Sequence, residues 1–367
     1  MPKVLIAGAS GLVGNAAVRH FAAMPGWEVV GLSRRIPAPI PGARLISLDL
    51  TDEAACATAL RAIPGVTHLV YAALQELPGL FAGWQDEALI AQNGAMLRNL
   101  FEPLIAASPG LEHVSLLHGT KAYGVHHPSV GWSASRFPLR EREPRIDHPN
   151  FYFVQEDYLR ERQAHASWGL TVFRPTVIYG DAPGNNMNAI PALGAYAALL
   201  RERGEPLHFP GQDTLPGLHE ALDARIMAAA LGWAATSPAA RGGTFNLTNG
   251  DVFTWQNVWP AIARALGMEP GEHRPLLLAD ELPAHQDDWA AIVRKYGLVA
   301  PASIVEFAGL NSLTYTDMVL RSGRPGVPLL NSTIAARKAG FGDCIDTEDM
   351  FVELFNGLQE QRLLPPR

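Results

Sequence analysis

Short apolar runs, bounded by glycine, proline or polar residues, recur along the chain between longer mixed segments. Runs of roughly four to eight apolar residues are typical of parallel strands, whose two faces are both buried. The predicted strands are residues 3–7, 28–32, 45–50, 68–73, 112–117 and 244–247, together with a sixth strand in the segment 170–180 that has Arg174 and Pro175 at its end. Because helical segments separate these strands, the pattern predicts an α/β protein with a doubly wound parallel sheet of the Rossmann type.

A glycine motif joins the first predicted strand to the first helix. Gly8, Gly11 and Gly14 have the spacing G-x-x-G-x-x-G, which suits a tight turn, backbone access for a pyrophosphate and close packing of helix on strand. The N-terminus of the helix offers N–H groups to the phosphates. The residues predicted to bind a dinucleotide here are Gly8, Ser10, Gly11, Leu12, Val13 and Gly14.

The end of the second strand indicates which dinucleotide is bound. Ser33, Arg34 and Arg35 stand where proteins that prefer NAD usually have an acidic residue for the ribose 2′-hydroxyl. Arginine suits a 2′-phosphate instead, so the sequence favours NADPH/NADP+ over NAD. The alternative is a pair of solvated arginines at the start of a Pro-rich loop. Later cofactor contacts are predicted at Asp49 and Leu50, near the adenine, and at Tyr71 and Ala72, beneath the ribose.

A change of composition after Gly180 suggests two structural parts. Residues 1–180 are predicted to form the NADP-binding domain, to which residues 220–250 return with the last strand. Residues 181–219 and 251–367, rich in Ala and Leu, are predicted to form a smaller, mostly helical substrate lobe. Met187 and Phe209 are candidates for an apolar pocket in this lobe, although such residues are more often core.

Composition and charge exclude several functional classes. The 367 residues are 48% hydrophobic and carry a net charge of −7 without a basic run, so neither a nucleic-acid partner nor an anionic membrane is expected. Two cysteines in so long a chain indicate a reducing compartment rather than a disulfide framework. No apolar run reaches the roughly 18 to 20 residues of a membrane span. We therefore expect a soluble, cytoplasmic protein.

The candidate chemistry lies in two segments, LLHGTKAYG (residues 116–124) and NFYFVQED (residues 150–157). Lys121 follows the fifth strand, and ligands of open parallel sheets bind outside the carboxyl ends of the strands. Tyr152 falls in the first turn of a helix that Asn150 is predicted to cap and that is expected to run to about Trp168.

Other polar side chains in this part of the chain are weaker candidates. Tyr123 and Tyr158 compete with Tyr152, but each can equally be a core aromatic with a polar end. His118 is expected to be a hydrogen-bonded core histidine. A metal site at His126 and His127 is rejected because adjacent histidines point in different directions and no further ligand motif accompanies them. Residues 126–148 are interpreted as a mobile loop over the site.

The two segments resemble those of a known family. Ordinary extended short-chain dehydrogenases have a serine or threonine in the first segment and Tyr-x-x-x-Lys in the second, whereas here Glu156 is four residues after Tyr152 and the lysine is Lys121. This displaced pair resembles the progesterone 5β-reductase and iridoid synthase family of enone reductases. The segments 249–259 (NGDVFTWQNVW), 278–298 and 329–341 resemble the same family.

The resemblance implies a function. It implies hydride addition from NADPH to the β-carbon of an enone or enal, with Tyr152 and Lys121 as catalytic residues that stabilise the enolate oxygen. It also implies a small apolar substrate and a homodimer, which is common among relatives. The further cofactor contacts it implies are Thr120, Tyr152, Pro175 and Val177. Asn93 matches a recurrent asparagine of short-chain dehydrogenases, the alternative being a plain surface residue.

Two other functions remain open at this stage. One is a 1,2-carbonyl reductase or sugar epimerase of the extended class, which an intact Tyr-x-x-x-Lys would support and Glu156 disfavours. The other is a catalytically silent NADPH-binding sensor, which would need neither Tyr152 nor Lys121.

Overall fold

A computed structural model of the protein describes residues 1–127, 137–212, 217–321 and 329–367. Within these ranges the chain forms eleven strands and thirteen α-helices. The strands are β1 (Lys3–Ala7), β2 (Glu28–Ser33), β3 (Ala43–Ser47), β4 (His68–Tyr71), β5 (His113–Leu117), β6 (Gly169–Pro175), β7 (Ile178–Tyr179), β8 (Leu207–Phe209), β9 (Leu222–Asp223), β10 (Thr244–Leu247) and β11 (Pro270–His273). The helices are α1 (Leu12–Ala23), α2 (Glu53–Arg61), α3 (Glu87–Ala107), α4 (Phe151–Gln163), α5 (Ala189–Glu202), α6 (Ala224–Thr236), α7 (Trp255–Ala265), α8 (Leu278–Ala284), α9 (Gln286–Tyr296), α10 (Ile304–Ala308), α11 (Leu310–Val319), α12 (Ile334–Lys338) and α13 (Thr347–Glu360).

Seven of the strands form one sheet in the order β3-β2-β1-β4-β5-β6-β10. Every neighbouring pair in it is parallel, so the predicted Rossmann-type α/β class is confirmed. The predicted strand at residues 244–247 is β10, which returns to the sheet beside β6. The strand order reverses between β1 and β4, and an open parallel sheet has its binding crevice at such a switch point.

Helices cover both faces of the sheet, which explains why its strands are apolar at successive positions. Val4 and Ile6 of β1 pack with α1 and α6, for example against Phe21. The alternate residues of β1, Leu5 and Ala7, face the opposite side and pack with α2 and α3. Since successive side chains of a strand point to opposite faces, a strand covered on both sides needs apolar residues throughout.

Several predicted boundaries are wrong: β3 spans Ala43–Ser47 and not 45–50, and β4 ends at Tyr71 and not at residue 73. Helix α4 ends at Gln163 and not near Trp168, because the Gln163 side chain donates a hydrogen bond to the Trp168 carbonyl and Trp168 packs its ring against Phe101. Strand β6 ends at Pro175, as the sequence predicts, and the rest of the segment 170–180 contains β7, which leaves the sheet to pair with β9.

A second group of helices packs around its own apolar core, next to the carboxyl ends of the strands. Helices α5, α7 to α11 and α13 surround a large apolar cluster that includes Trp255, Trp289, Phe307 and Phe351. The buried indole N–H of Trp255 donates to the carbonyl of Val319 at 2.9 Å, as a buried polar group requires. These helices contain the residues predicted for the substrate lobe, whose boundaries stay a prediction.

Two further findings concern the chain as a whole. Cys56 is buried and Cys344 is exposed, and both are free thiols. Among the residues that the structure describes, none of the helices is at once long and apolar enough to traverse a lipid bilayer.

Candidate active site

A cleft of about 1230 Å³ opens at the carboxyl ends of the strands, between the sheet and the second group of helices. Its floor comes from the turns that follow β1, β2, β4, β5 and β6, as expected for a switch-point crevice. The predicted site residues that line it are Gly8, Ser10, Gly11, Leu12, Val13, Ser33, Arg34, Arg35, Asp49, Leu50, Tyr71, Ala72, Thr120, Lys121, Tyr152, Pro175 and Val177.

Gly14 is the one predicted cofactor residue that does not line the cleft. A methyl group at this position would lie 2.1 Å from the carbonyl oxygen of Gly8, so the glycine lets helix α1 pack directly on the turn. Gly8 itself has φ +88° and a methyl group there would lie 2.7 Å from the Ala72 carbonyl oxygen. The two glycines thus keep the turn between β1 and α1 close to β4, with the N-terminus of α1 directed at the cleft.

The turn after β2 presents two exposed guanidinium groups to the same cleft, those of Arg34 and Arg35. The backbone of the turn is held by side-chain hydroxyls: Ser33 donates to the Arg35 carbonyl at 2.6 Å and Ser47 donates to the Arg34 carbonyl at 3.0 Å. The Thr51 backbone N–H, and to a smaller extent Arg34, lower the pKa of Asp49. The turn therefore combines a fixed backbone with two cationic side chains.

The predicted pair Lys121 and Tyr152 is brought together on one side of the cleft. The Lys121 ammonium nitrogen lies 5.6 Å from the centroid of the Tyr152 ring. A methyl group at Gly119 would lie 3.1 Å from the Tyr152 hydroxyl oxygen, so that oxygen sits against the turn after β5. The lysine and the phenol are thus delivered to one place by different elements, the turn after β5 and the first turn of α4.

Asn150 connects these two elements. Its side-chain oxygen accepts a hydrogen bond from the Tyr152 backbone N–H at 3.0 Å, which confirms the predicted N-cap of α4. Its side-chain amide donates to the Lys121 carbonyl at 3.1 Å, and His148 contacts the same carbonyl at 3.2 Å. The helix that carries the phenol is therefore tied to the backbone that carries the amine.

Burial shifts the pKa values of both groups. It lowers the pKa of Lys121 to about 8, and the neighbouring carboxylate of Glu76 opposes this shift. It raises the pKa of Tyr152 above its ordinary value, and Glu76 adds to that rise. The phenol therefore stays protonated at neutral pH and serves as a hydrogen-bond donor, beside an amine that is mostly cationic.

The residue four positions after Tyr152, Glu156, is paired with two arginines. Glu156 is buried, with an oxygen 2.7 Å from an Arg160 nitrogen and another 3.4 Å from an Arg145 nitrogen. It also lies 3.8 Å from His118, but burial lowers the pKa of His118 well below its ordinary value, so that ring is neutral. His118 stacks on the Tyr152 ring at 4.7 Å, which fixes the orientation of the phenol.

The competing tyrosines use their hydroxyls elsewhere. Tyr123 donates to the side-chain oxygen of Asn246 at 2.6 Å, and Tyr158 donates to Glu102 at 2.6 Å. Neither side chain lines the cleft. Met187 does line it, whereas Phe209 packs on Trp259 in the core of the second group of helices.

Asn93 is not the surface residue that the sequence allowed as an alternative. It is fully buried; its side-chain oxygen accepts from the Gln75 backbone N–H at 2.8 Å and its amide donates to the Gln75 carbonyl at 3.0 Å. Its own carbonyl accepts from the Gln155 side chain at 3.0 Å. Asn93 therefore joins the segment after β4 to helix α4.

Sequence reasoning missed the two residues that contact the Lys121 amine, Glu76 and Trp84. The Lys121 nitrogen lies 3.8 Å from a Glu76 carboxylate oxygen and 4.1 Å from the centroid of the Trp84 ring. Both residues belong to the segment between β4 and α3, where Trp84 lies in a short 3-10 helix (Ala82–Gln85), and this segment carries no recognisable motif. The sequence signal that could have found Glu76 is an isolated acidic residue five positions after a buried strand, and no comparable signal marks Trp84.

The loop predicted over the site is described only in part, since residues 128–136 lie outside the described ranges. His126 lines the cleft, and burial lowers its pKa to about 3, so it is neutral. Among the described residues, no group of three or more histidine, cysteine or acidic side chains is placed to hold a metal ion.

The chain is similar to known proteins in both sequence and fold. Residues 63–318 match the family model of the PRISE-like Rossmann-fold domain. The chain is 30% identical over 378 residues to an (S)-8-oxocitronellyl enol synthase of Camptotheca acuminata, covering 98% of this chain and 93% of that one. It is 32% identical over 310 residues to a 3-oxo-Δ(4,5)-steroid 5-beta-reductase of Arabidopsis thaliana, covering 79% of this chain and 76% of that one. Among solved structures, a UDP-glucose 4-epimerase of Thermus thermophilus in complex with NAD superposes with a TM-score of 0.63 at 18% identity, covering 97% of this chain and 99% of that chain, a likeness of fold alone.

Proposed function

The chain belongs to the PRISE-like Rossmann-fold family and is an oxidoreductase, and we propose that it reduces the C=C bond of α,β-unsaturated carbonyl compounds with NADPH. The observation that carries the proposal is the convergence of a protonated phenol, Tyr152, and a buried amine, Lys121, on one side of the cleft. The names of the two relatives, an enol synthase and a 5-beta-reductase, support the same reaction class.

The residues of the cleft fit a dinucleotide phosphate. Gly8 and Gly11 line the cleft beside the N-terminus of α1, which can bind a pyrophosphate, and Arg34 and Arg35 are cations at the end of β2. When bound, NADPH supplies the hydride that is added to the substrate's β-carbon. The electron pair of the C=C bond then moves toward the carbonyl, and negative charge develops on its oxygen.

The role of the two side chains follows from that charge. We assign the Tyr152 hydroxyl as hydrogen-bond donor to the enolate oxygen and the Lys121 ammonium as the cation that holds the local potential positive, together an oxyanion-hole arrangement. A strong acid is not required, because an enolate is a weaker base than the alkoxide formed in 1,2-reduction. The product is completed when water delivers a proton to the α-carbon, either directly or through the phenol, which then regains its proton from water.

The substrate is proposed to be a small, largely apolar enone or enal. The cleft has an aromatic and thioether wall, of which Trp84 and Phe151 lie 4.1 Å and 5.7 Å from the Lys121 nitrogen, and such a wall suits an apolar molecule better than a sugar nucleotide. The side chains of that wall are Trp84, Phe151, Met187, Tyr315 and Met318. Nucleic acid and membrane are not proposed as partners, and a homodimer stays a prediction.

The reaction class can be tested directly. Purified protein is mixed with NADPH and 2-cyclohexen-1-one, cofactor oxidation is followed by absorbance, and the product is identified. Saturated ketone supports the proposal. Allylic alcohol would instead indicate a 1,2-carbonyl reductase, and cofactor binding without turnover of any enone or enal tested would indicate a sensor.

The cofactor preference depends on Arg34 and Arg35. Changing both to alanine is expected to raise KM for NADPH about tenfold to a hundredfold while leaving KM for NADH nearly unchanged, because a charge-assisted hydrogen bond contributes about 1.5–3 kcal/mol. Steady-state kinetics with the two cofactors measure this. Arg44→Ala, on the exposed surface of β3, is the matched control. An equal rise of both KM values would show that the arginines do not read the 2′-phosphate.

A further inference from the structure

Glu76 is a buried acidic side chain that touches the proposed catalytic lysine. Only 1% of its side chain is exposed, against 13% for Lys121, and the two charged groups are 3.8 Å apart. Neither carboxylate oxygen of Glu76 makes a hydrogen bond to any residue in the described ranges. The ring of Trp84 lies 4.1 Å from the same ammonium nitrogen. Lys121 is thus in contact with a carboxylate and an aromatic ring together.

Protein stability does not account for this pair. Removing a carboxylate and an ammonium from water costs free energy, which their attraction offsets only when further hydrogen bonds satisfy both groups. Those hydrogen bonds are missing at Glu76 among the described residues. Burial raises the pKa of Glu76 and the charge of Lys121 opposes that rise. The indole N–H of Trp84, like Lys121, lowers the pKa of Glu76, although its geometry is not that of a regular hydrogen bond.

The backbone around Glu76 is held in place from two sides. The preceding residue, Gln75, is bound through both its N–H and its carbonyl by the Asn93 side chain. Asn93 is linked in turn, through its carbonyl, to Gln155 on helix α4. Because α4 also carries Tyr152, this network ties the carboxylate to the helix that bears the phenol. The pair is therefore part of the same rigid arrangement as the proposed catalytic groups.

We propose that Glu76 is a positioning residue that keeps Lys121 in its ammonium form and holds it at the wall of the cleft. The inference rests on the proposed function and deepens it. Tyr152 donates to the enolate oxygen and Lys121 supplies the positive potential. Glu76 keeps the Lys121 amine protonated, and so preserves that potential. The face of the Trp84 ring, 4.1 Å from the ammonium nitrogen, adds a cation–π contact.

Among the described residues, four charged or titratable groups near Lys121 could affect the protonation of its amine. Glu76 favours the cation. His126 is neutral, since burial lowers its pKa to about 3, and the Tyr152 phenol stays protonated. His148 contacts the Lys121 carbonyl rather than the amine. Replacing Glu76 by an uncharged residue is therefore expected to move the titration of Lys121 down by roughly one pH unit or more.

The chain offers a direct readout, because it contains four lysines: Lys3, Lys121, Lys295 and Lys338. Lysine labelled with ¹³C at the ε-carbon gives few signals, and the Lys121→Met variant identifies the one that belongs to Lys121. The titration midpoint of this signal is measured in the full-length protein and in Glu76→Gln, Glu76→Asp and Glu87→Gln. Glu87 is an exposed carboxylate in the first turn of α3, so its change is the matched control for loss of one negative charge.

The expected result is a midpoint near pH 8 in the unaltered protein, about one unit or more lower in Glu76→Gln, intermediate in Glu76→Asp and unchanged in Glu87→Gln. The alkaline limb of kcat/KM for enone reduction is expected to move with the midpoint. If Glu76→Gln does not fold, Glu76→Asp provides the comparison. An unmoved midpoint in the folded variants overturns the inference. A moved midpoint in a protein that reduces no enone leaves the pairing intact and rejects the proposed function.

Discussion

Replacing Tyr152 with phenylalanine is expected to lower kcat for enone reduction about a hundredfold or more, because removal of one oxyanion donor has an effect of that size. The change deletes only the hydroxyl oxygen. The ring keeps its stacking on His118 at 4.7 Å and its place in the first turn of α4. Steady-state kinetics with a saturating enone, together with fluorescence titration of NADPH, separate the loss of turnover from any loss of cofactor binding.

Tyr158→Phe is the matched control for this prediction. The substitution also removes a tyrosine hydroxyl oxygen from α4. The Tyr158 hydroxyl, however, donates to Glu102 at 2.6 Å, and the Tyr158 side chain does not line the cleft. We expect kcat in this variant to stay within about twofold of the unaltered enzyme. If Tyr152→Phe keeps full activity, the phenol is not the donor and the oxyanion must be stabilised by another group.

The fold was predictable because its signals are local. Apolar runs of strand length and the glycines at residues 8, 11 and 14 specify a parallel sheet with a dinucleotide turn, and the sheet has that topology. Element ends were less predictable. The end of α4 depends on a contact between Gln163 and Trp168 and on the burial of Trp168 against Phe101, and such tertiary contacts leave no periodic trace in the sequence.

The candidate site was predictable where a motif marks it. Lys121 and Tyr152 were identified through a family resemblance, since nothing in their spacing of 31 residues indicates that they meet. Glu76 and Trp84 were missed, because their relation to Lys121 exists only after β4 and β5 are paired in the sheet. Asn93 shows the reverse case: the motif suggested it, and its burial explains why an asparagine is needed to bind both polar groups of Gln75.

Replacing Lys121 with methionine is expected to lower kcat/KM at pH 7 about a hundredfold or more. Methionine keeps an unbranched side chain of similar length over Trp84 but cannot stabilise an oxyanion. The variant also leaves Glu76 buried without its cation, so its folding is checked by denaturant unfolding beside the assay. Lys295→Met is the control, because Lys295 is exposed, pairs with Glu202 at 2.7 Å and does not line the cleft.

The pH dependence makes the role of Lys121 specific. Its pKa is lowered to about 8, so the ammonium is present below that pH and is lost as the pH rises through it. The kcat/KM of the unaltered enzyme should therefore be level near pH 6–7 and fall about tenfold per pH unit above 8. In Lys121→Met the profile should be low and level across this range, since the group that titrates is gone. A variant that retains the same alkaline limb would show that another group titrates there, and that Lys121 acts, if at all, without its charge.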